Sequence, residues 1–343
     1  MPRAATSPMT RRLLLAAIFL CGTVYAVQTA IAQSPKKTVF AVFWRGCEEV
    51  CEGFHAYFAE KNVDAKVVVR DAARDKAKLP LFLEEARAMK ADLILTWGTS
   101  VTLGIAGSLN DVGDTRFNHA IPHVFTVVAD PVGAGIVESL EKSGRRNLTG
   151  TFNRVPEAVN IRTIRSYLPT FKRLGLLYNR NERNSVLKFQ EITDLASELN
   201  FELVALELPL GDDGKPRALD IAPKVAMLKE ARADFIYLGS SSFLDAHRDA
   251  FTQSAVEHGI PVLSPYERVV RDSHGLLSIA ARFYDVGRLA AQQAEKILVG
   301  GQTPGDIPVA RMTDFAYVIN MAVARKLNLF PPVAVLQFAE TVN

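Results

Sequence analysis

Short apolar runs alternate with amphipathic stretches along the first half of the chain. Buried strands are predicted at 38–44, 65–70, 92–97 and 123–128, with helices between them at 53–61 and 81–89. Strands of nearly continuous apolar character, separated by helices, are typical of parallel sheets that are covered on both faces. The pattern therefore predicts an α/β fold.

The same order of elements begins again in the second half. Strands are predicted at 173–178, 201–208, 235–238 and 262–263, and helices at 185–199, 222–231 and 245–258. In each half an Ala-Asp pair precedes a strand that ends in a glycine and two hydroxyl residues, at Gly98 and at Gly239. An Ile-Pro pair, at Ile121 and Ile260, then precedes a further strand. The repetition indicates two similar lobes rather than one large sheet.

The remaining C-terminal elements are too few for a third domain. They are a strand at 276–280, a helix at 284–298, and a strand followed by a helix within 313–328. We expect them to complete the two lobes, so that the chain crosses between the lobes more than once and forms a hinge beside a cleft. The predicted division is an N-terminal lobe of 37–152 plus 278–301 and a C-terminal lobe of 153–277 plus 308–343.

The first 32 residues have the pattern of a cleavable secretory signal. Arg11 and Arg12 precede an apolar run at 13–21, and small residues follow at Ala30 and Ala32. An uncleaved membrane anchor is the alternative, although the run is short for a membrane span. We expect cleavage near Ala32 and export to the periplasm.

Composition and charge narrow the class of protein. Hydrophobic residues make up 48% of the 343 residues and charged residues 22%, which is typical of a globular protein with a large core. The 40 basic and 37 acidic residues give a net charge of +3, so a nucleic-acid partner is not expected.

Two cysteines remain after the predicted cleavage site, Cys47 and Cys51. An oxidising compartment favours a disulfide between them. The alternative is a metal site, because His55 lies four residues further along and would align with both cysteines on a helix. We expect the disulfide and no bound metal.

Polar and glycine-containing segments follow several predicted strands. Ligands of parallel α/β sheets bind beyond the carboxyl ends of the strands, where glycine permits close approach and free N–H groups bind anions. Ordinary helix capping is the alternative for any single segment. The chain has no nucleophile elbow, P-loop or zinc-protease motif. We therefore expect a binding cleft, with no catalytic residues and no cofactor.

Several segments resemble ABC transporter substrate-binding proteins of the tryptophan/tyrosine-transport type. The most specific are Asp-Pro-Val-Gly-Ala-Gly at 130–135, within 124–150, and LGLLYNRNERNS at 174–185. Shorter matches occur at 260–262, 284–288 and 294–308, in the same order as in the family. The resemblance covers nearly all of residues 37–329.

The resemblance implies a type I periplasmic binding protein, with two Rossmann-like lobes and parallel sheets joined by a hinge of several crossovers. Such a protein captures a small amino-acid-like, carboxylate or aromatic solute and delivers it to an ABC permease in the inner membrane. We expect it to act as a monomer. A periplasmic sensor module for a membrane kinase or cyclase is the alternative. Carried over by position, the residues that face the cleft are Thr99, Ser100, Asp130, Asn184, Ser185, Ser240, Ser241 and Asp285.

The sequence departs from the family at the end of the first strand. Relatives often have an acidic or His-containing segment there, whereas this chain has Trp44, Arg45, Gly46 and Cys47. Arg45 would favour an anionic solute, and Trp44 or Trp97 could stack on an aromatic one. Packing or solvation of these side chains is the alternative interpretation.

Overall fold

The computed structural model describes residues 36–343, so the signal sequence predicted at 1–32 lies outside the described residues. The strands of this part are β1 (Lys37–Phe43), β2 (Ala65–Asp71), β3 (Leu93–Trp97), β4 (His123–Thr126), β5 (Leu148–Phe152), β6 (Arg173–Tyr178), β7 (Glu202–Glu207), β8 (Phe235–Tyr237), β9 (Val262–Ser264), β10 (Leu277–Ala280), β11 (Ala310–Arg311), β12 (Ala316–Asn320) and β13 (Glu340–Val342).

The α-helices alternate with these strands. They are α1 (Glu49–Glu60), α2 (Leu79–Ala88), α3 (Thr99–Ala106), α4 (Glu157–Tyr167), α5 (Arg183–Glu198), α6 (Ile221–Glu230), α7 (Ser242–Ala246), α8 (Arg248–Glu257), α9 (Glu267–Arg271), α10 (Phe283–Leu298), α11 (Met321–Leu327) and α12 (Val333–Leu336). In the part of the chain that the structure covers, no helix has the length and apolar character of a membrane span.

The strands form two sheets. The first has the order β11-β5-β4-β3-β1-β2, and all of its strand pairs are parallel. The second has the order β13-β12-β10-β9-β8-β6-β7 and is parallel except for the β10–β12 pair. These sheets confirm the α/β fold that was predicted from the alternation of strands and helices.

The chain passes between the two sheets at residues 153–156, 281–282 and 312–315. Two short strands lie in a different sheet from the one that the predicted division gave them. Strand β10 pairs in the second sheet, although 278–301 was assigned to the N-terminal lobe, and β11 pairs in the first sheet, although 308–343 was assigned to the C-terminal lobe. An apolar run can complete either sheet, so its pairing is decided by tertiary contacts rather than by its own pattern.

Each sheet has its own buried core. In the first, Val39–Val42 of β1 and Leu93–Leu95 of β3 are fully buried, because these strands lie inside the sheet and have helices on both faces. In the second, Leu174 of β6 and the whole of β8 occupy the equivalent place. Strand β2, at the edge of the first sheet, is only half-buried.

The predicted helix at 245–258 is two helices in the structure. Helix α7 begins earlier, where the Ser241 hydroxyl accepts a hydrogen bond from the N–H of Leu244 at 3.1 Å, and the helical path breaks at His247 before α8. A serine at this position is a favoured N-cap because its oxygen satisfies an otherwise unpaired N–H. The early start places Asp245 within α7, where it contacts residues from the first sheet.

Two glycines allow α1 and α10 to pack closely. A Cβ atom on Gly53 would lie 1.9 Å from the carbonyl oxygen of Tyr284, and one on Gly287 would lie 2.0 Å from that of Val50. These distances are far shorter than any van der Waals contact, so each site excludes a larger residue while the helices keep this separation.

We predict that Gly53→Ala lowers the free energy of unfolding by about 1–3 kcal/mol, because the added methyl group must push the two helix backbones apart. Urea denaturation measures the effect. Gly211→Ala is the matched control, since the nearest atom to its Cβ would be a movable carboxylate oxygen of Asp213 at 3.3 Å. Equal stability of the two variants would contradict the close-packing argument.

Candidate functional site

A central cavity lies where the carboxyl ends of the strands of both sheets meet. Its volume in this structure is about 50 Å³, so the two sides lie close together. The loops and helix starts after β1, β3, β4 and β5 supply one side, and those after β6, β8, β9 and β10 supply the other. This is the position at which parallel α/β sheets bind ligands. The lining residues are Trp44, Arg45, Trp97, Gly98, Thr99, Ser100, Val101, Val127, Ala129, Asn153, Arg154, Asn184, Ser242, Asp245, Pro265, Tyr266 and Phe283.

The first turn of α3 contributes backbone donors to the cavity wall. Gly98, the residue before the helix, has φ +91° and provides no side-chain cap, and the next three residues all line the cavity. The first N–H groups of a helix have no partner within the helix, and the helix dipole makes this end attractive to anions. The Thr99 hydroxyl accepts a hydrogen bond from the N–H of Ala129 at 3.3 Å, which holds this loop in place.

A cluster of four charged residues joins the two sides of the cavity. We call Arg45, Glu48, Asp245 and Arg268 the cross-cavity ion-pair cluster. Nη1 of Arg45 and Nη2 of Arg268 both donate to Oδ2 of Asp245, and Nε of Arg268 donates to Oδ1 at 2.9 Å. Both guanidinium groups also contact Glu48, from Arg45 at 3.0 Å and from Arg268 at 3.3 Å. Two ion pairs, Arg45–Asp245 and Glu48–Arg268, therefore connect the two sides at this point.

Arg45 is held by two carboxylates and one aromatic ring. Its side chain is 9% exposed, and its guanidinium carbon lies 5.0 Å from the centre of the Trp97 ring, within cation–π distance. Burial alone would lower the pKa of Arg45, but the carboxylates of Asp245 and Glu48 outweigh it and raise the pKa. Arg45 lines the cavity as expected, and its Nε and Nη1 already donate to Glu48 and Asp245.

Of the site residues predicted from the sequence, the structure brings four to the cavity wall and leaves five away from it. The four are Arg45, Thr99, Ser100 and Asn184. Asn184 also spans two loops, because its Nδ2 donates to the carbonyl oxygen of Ser240 at 2.5 Å. The five that do not line the cavity are Asp130, Ser185, Ser240, Ser241 and Asp285.

Three of these five side chains hold the loops around the cavity. Oδ1 of Asp130 accepts from the N–H of Gly133 at 2.8 Å, and Oγ of Ser185 accepts from the N–H of Asn179 at 3.0 Å. The Ser241 hydroxyl donates to Oδ1 of Asn179 at 2.6 Å and caps α7. Such side-chain bonds to nearby backbone are ordinary turn and capping contacts.

The other two predicted residues make no such loop contact. The Ser240 hydroxyl is buried without a hydrogen-bond partner among the described residues, and Asp285 lies half-buried in the first turn of α10. A strand-end serine and a first-turn aspartate satisfy the sequence criteria for a cleft residue, but the direction of each side chain is decided by packing.

The sequence reasoning missed several residues that line the cavity: Asn153, Arg154, Asp245, Tyr266 and Phe283. Asn153 and Arg154 directly follow β5, a strand that was not predicted, and Phe283 follows β10. The position after a strand was the available signal for these residues. Nothing in the local pattern indicated that Asp245 would reach across the cavity.

Cys47 and Cys51 are joined by a disulfide at the start of α1. Their sulfur atoms and a ring nitrogen of His55 lie within 4.8 Å of one another, so the same three residues could also gather around a metal ion if the cysteines were reduced. The pair lies next to Trp44 and Arg45 and fixes the turn that leads from β1 into the cavity wall.

Two α/β sheets with a cavity between the carboxyl ends of their strands define a protein of the type I periplasmic binding class. Residues 44–343 match the family model described as "ABC transporter substrate binding protein". The chain belongs to this family, whose members bind small molecules and work with an ABC transporter, which confirms the resemblance found in the sequence.

Individual relatives agree with the family assignment. A curated "Tyrosine-binding protein" of Clostridioides difficile is 27% identical over 210 residues, which cover 61% of this chain and 57% of the relative. The aligned part is thus less than two thirds of that relative's length.

Solved structures share the fold. A conserved domain protein from Vibrio cholerae has a TM-score of 0.77 at 22% identity, covering 90% of this chain and 100% of that chain. An ABC domain from Streptococcus pneumonia, solved in complex with L-Trp, has a TM-score of 0.74 at 21% identity, covering 89% of this chain and 100% of that chain.

We predict that Asp245→Asn lowers the free energy of unfolding by about 3 kcal/mol, because it removes the buried one of the two carboxylates that Arg45 and Arg268 share and leaves them only Glu48. Urea denaturation measures the change. Asp220→Asn is the control, since its ion pair with Arg217 lies at the surface, where such pairs contribute about 0–1 kcal/mol. If both variants lose the same small amount, the cross-cavity ion-pair cluster does not stabilise the protein.

We predict that peptide mapping under non-reducing conditions finds Cys47 linked to Cys51 in protein taken from an oxidising compartment. The loop closed by this bond is very short, so its reduction should change global stability little. Two free thiols, or stoichiometric metal that a chelator removes, would instead support the metal site with His55.

Proposed function

We propose that this protein captures a small solute with a carboxylate or an aromatic ring in the central cavity and delivers it to an ABC permease in the inner membrane. The observation that carries the proposal is the cavity itself, which is formed by the strand ends of two separate sheets. A solute held there contacts both sheets, so its binding free energy stabilises their closed arrangement. A permease can then distinguish the loaded protein from the unloaded one by its shape.

The cavity wall suits a solute of this chemistry. Trp44, Trp97, Tyr266 and Phe283 provide aromatic surface, while the first turn of α3 and the side chains of Ser100 and Asn184 provide polar contacts. The printed names of the relatives, a tyrosine-binding protein and a domain bound to L-Trp, also point to aromatic solutes. We propose Thr99, Ser100 and Asn184 as ligand-binding residues.

The proposed protein has two lobes, joined by a hinge, and works in the periplasm. The two lobes correspond to the two sheets with their covering helices, and the three crossovers between the sheets form the hinge. The protein works as a monomer in the periplasm after cleavage near Ala32, and it releases its solute chemically unchanged.

A first experiment identifies the solute. Native mass spectrometry of protein isolated gently from the periplasm should reveal a co-purified small molecule, and the N-terminus of that protein should begin near Gln33. Deleting the gene should abolish uptake of the identified solute, and plasmid-borne protein should restore it. Uptake that persists in the deletion strain would contradict delivery to an importer, and conversion of the solute by the pure protein would show that it is an enzyme.

We predict that Ser100→Ala weakens binding of the identified solute about tenfold in calorimetry, as expected for loss of one hydrogen bond to a charged group. Ser185→Ala is the matched control, because its hydroxyl bonds the Asn179 backbone outside the cavity wall. The control should lose stability but keep its affinity. The reverse result would place the binding site elsewhere.

A further inference from the structure

Arg154 is a charged side chain in the cavity wall whose donors are not all used by the protein. It lies in the crossover between β5 and α4, and its guanidinium carbon is 5.8 Å from the centre of the Tyr266 ring, another wall residue. Its Nη1 is buried and has no hydrogen-bond partner among the described residues. Buried donors of folded proteins nearly always have an acceptor, and for a donor in a cavity wall a bound ligand can supply it.

The acids whose charges act on Arg154 are bound elsewhere. These acids are Glu157 and Glu191, and both form ion pairs with Lys188. The second oxygen of Glu157 accepts from Nδ2 of Asn160 at 2.9 Å. The charge of Lys188, together with that of Arg154, outweighs the burial of Glu157 and lowers its pKa. Lys188 therefore takes the carboxylates that Arg154 could otherwise have used.

We propose that Arg154 binds the carboxylate of the solute, and that this solute is an aromatic carboxylic acid without an α-ammonium group. The inference rests on the proposed function and narrows its substrate class. A guanidinium group presents a planar fork of donors that matches a carboxylate, and at neutral pH both partners are charged. The sequence had suggested Arg45 for this role, but Nε and Nη1 of that side chain already donate to Glu48 and Asp245.

The wall offers no free anion for an ammonium group. Among the described residues that line the cavity, Asp245 is the only acid. Both of its oxygens already accept from guanidinium groups, those of Arg45 and Arg268. A zwitterionic amino acid would thus bury its ammonium group among neutral acceptors and beside two cations, which is unfavourable.

The aromatic part of the solute has a matching surface. The four aromatic residues of the wall come from both sides of the cavity, Trp44 and Trp97 from the first sheet and Tyr266 and Phe283 from loops that follow strands of the second. The Tyr266 and Phe283 rings meet edge to face at 6.0 Å. Amphipathic aromatic walls of this kind bind flat rings by stacking and by edge contacts.

The test compares two pairs of probes that differ only in the ammonium group. They are L-tyrosine with 3-(4-hydroxyphenyl)propanoate, and L-tryptophan with 3-(indol-3-yl)propanoate. Calorimetry on the mature protein, dialysed to remove bound solute, should give at least about tenfold tighter binding for the acid of at least one pair than for its amino acid.

Two substitutions test the role of Arg154 itself. Arg154→Gln should weaken binding of the acid about a hundredfold, and Arg154→Lys, which keeps the charge but not the planar fork, should weaken it about tenfold. Arg165→Gln is the matched control, because Arg165 also lies over an aromatic ring, that of Phe171 at 5.9 Å, but outside the cavity wall. Thermal unfolding reports whether each variant is folded. If Arg154→Gln does not fold, the affinity of Arg154→Lys tests whether Arg154 binds the carboxylate.

Each failure has a separate meaning. Amino acids that bind as tightly as their acids would overturn the exclusion of an ammonium group. An acid whose affinity is the same for the wild type and for the folded Arg154 variants would overturn the role of Arg154, and wild-type protein that binds none of the four probes would overturn the aromatic-acid class. None of these results removes the proposed function, which fails if deletion of the gene leaves uptake of the identified solute intact or if the pure protein converts the solute.

Discussion

A cluster of ion pairs around the buried carboxylate of Asp245 joins the two sides of the cavity. This carboxylate accepts hydrogen bonds from Arg45, which follows a strand of the first sheet, and from Arg268, which follows a strand of the second. A buried carboxylate requires counter-charges, and here they come from both sides of the cavity. The same contacts use Nε and Nη1 of Arg45, whereas Nη1 of Arg154 is buried without a partner among the described residues.

The sheets explain why such contacts can form. Parallel strands bring their carboxyl ends to one edge, so the loops of eight different strands line a single cavity. The helices cover the faces of each sheet and hold the loops in place. Helix α10, which follows the second crossover, packs closely against α1 of the first sheet at Gly53 and Gly287. Rigid lobes joined by short crossovers are suited to binding by closure.

The ion pairs around the cavity determine which charged groups of a solute it can bind. Lys188 forms ion pairs with Glu157 and Glu191, two acids whose charges also act on Arg154, and Asp245 accepts from two arginines. The polar surface that remains for a solute is a guanidinium group, hydroxyl and amide side chains, and the N-terminal turn of α3. This is an environment for an anion rather than for a zwitterion, whereas the printed names of two relatives refer to amino acids.

The sequence by itself determined the class of fold and the family. Periodicity reports burial, so strands such as β6 were predicted with their observed limits. Gly98 and Thr99, which were expected at a strand end beside a cleft, lie in the cavity wall. Tertiary structure decided which strands pair and which side chains form hydrogen bonds and ion pairs. Contacts between residues far apart in the chain decide which sheet β10 joins. They also decide that Ser185 bonds the Asn179 backbone, and which donors of Arg45 and Arg154 are paired within the protein. Arg45 and Asp245 are 200 positions apart, and no local pattern encodes an ion pair whose geometry exists only after both sheets have folded and met.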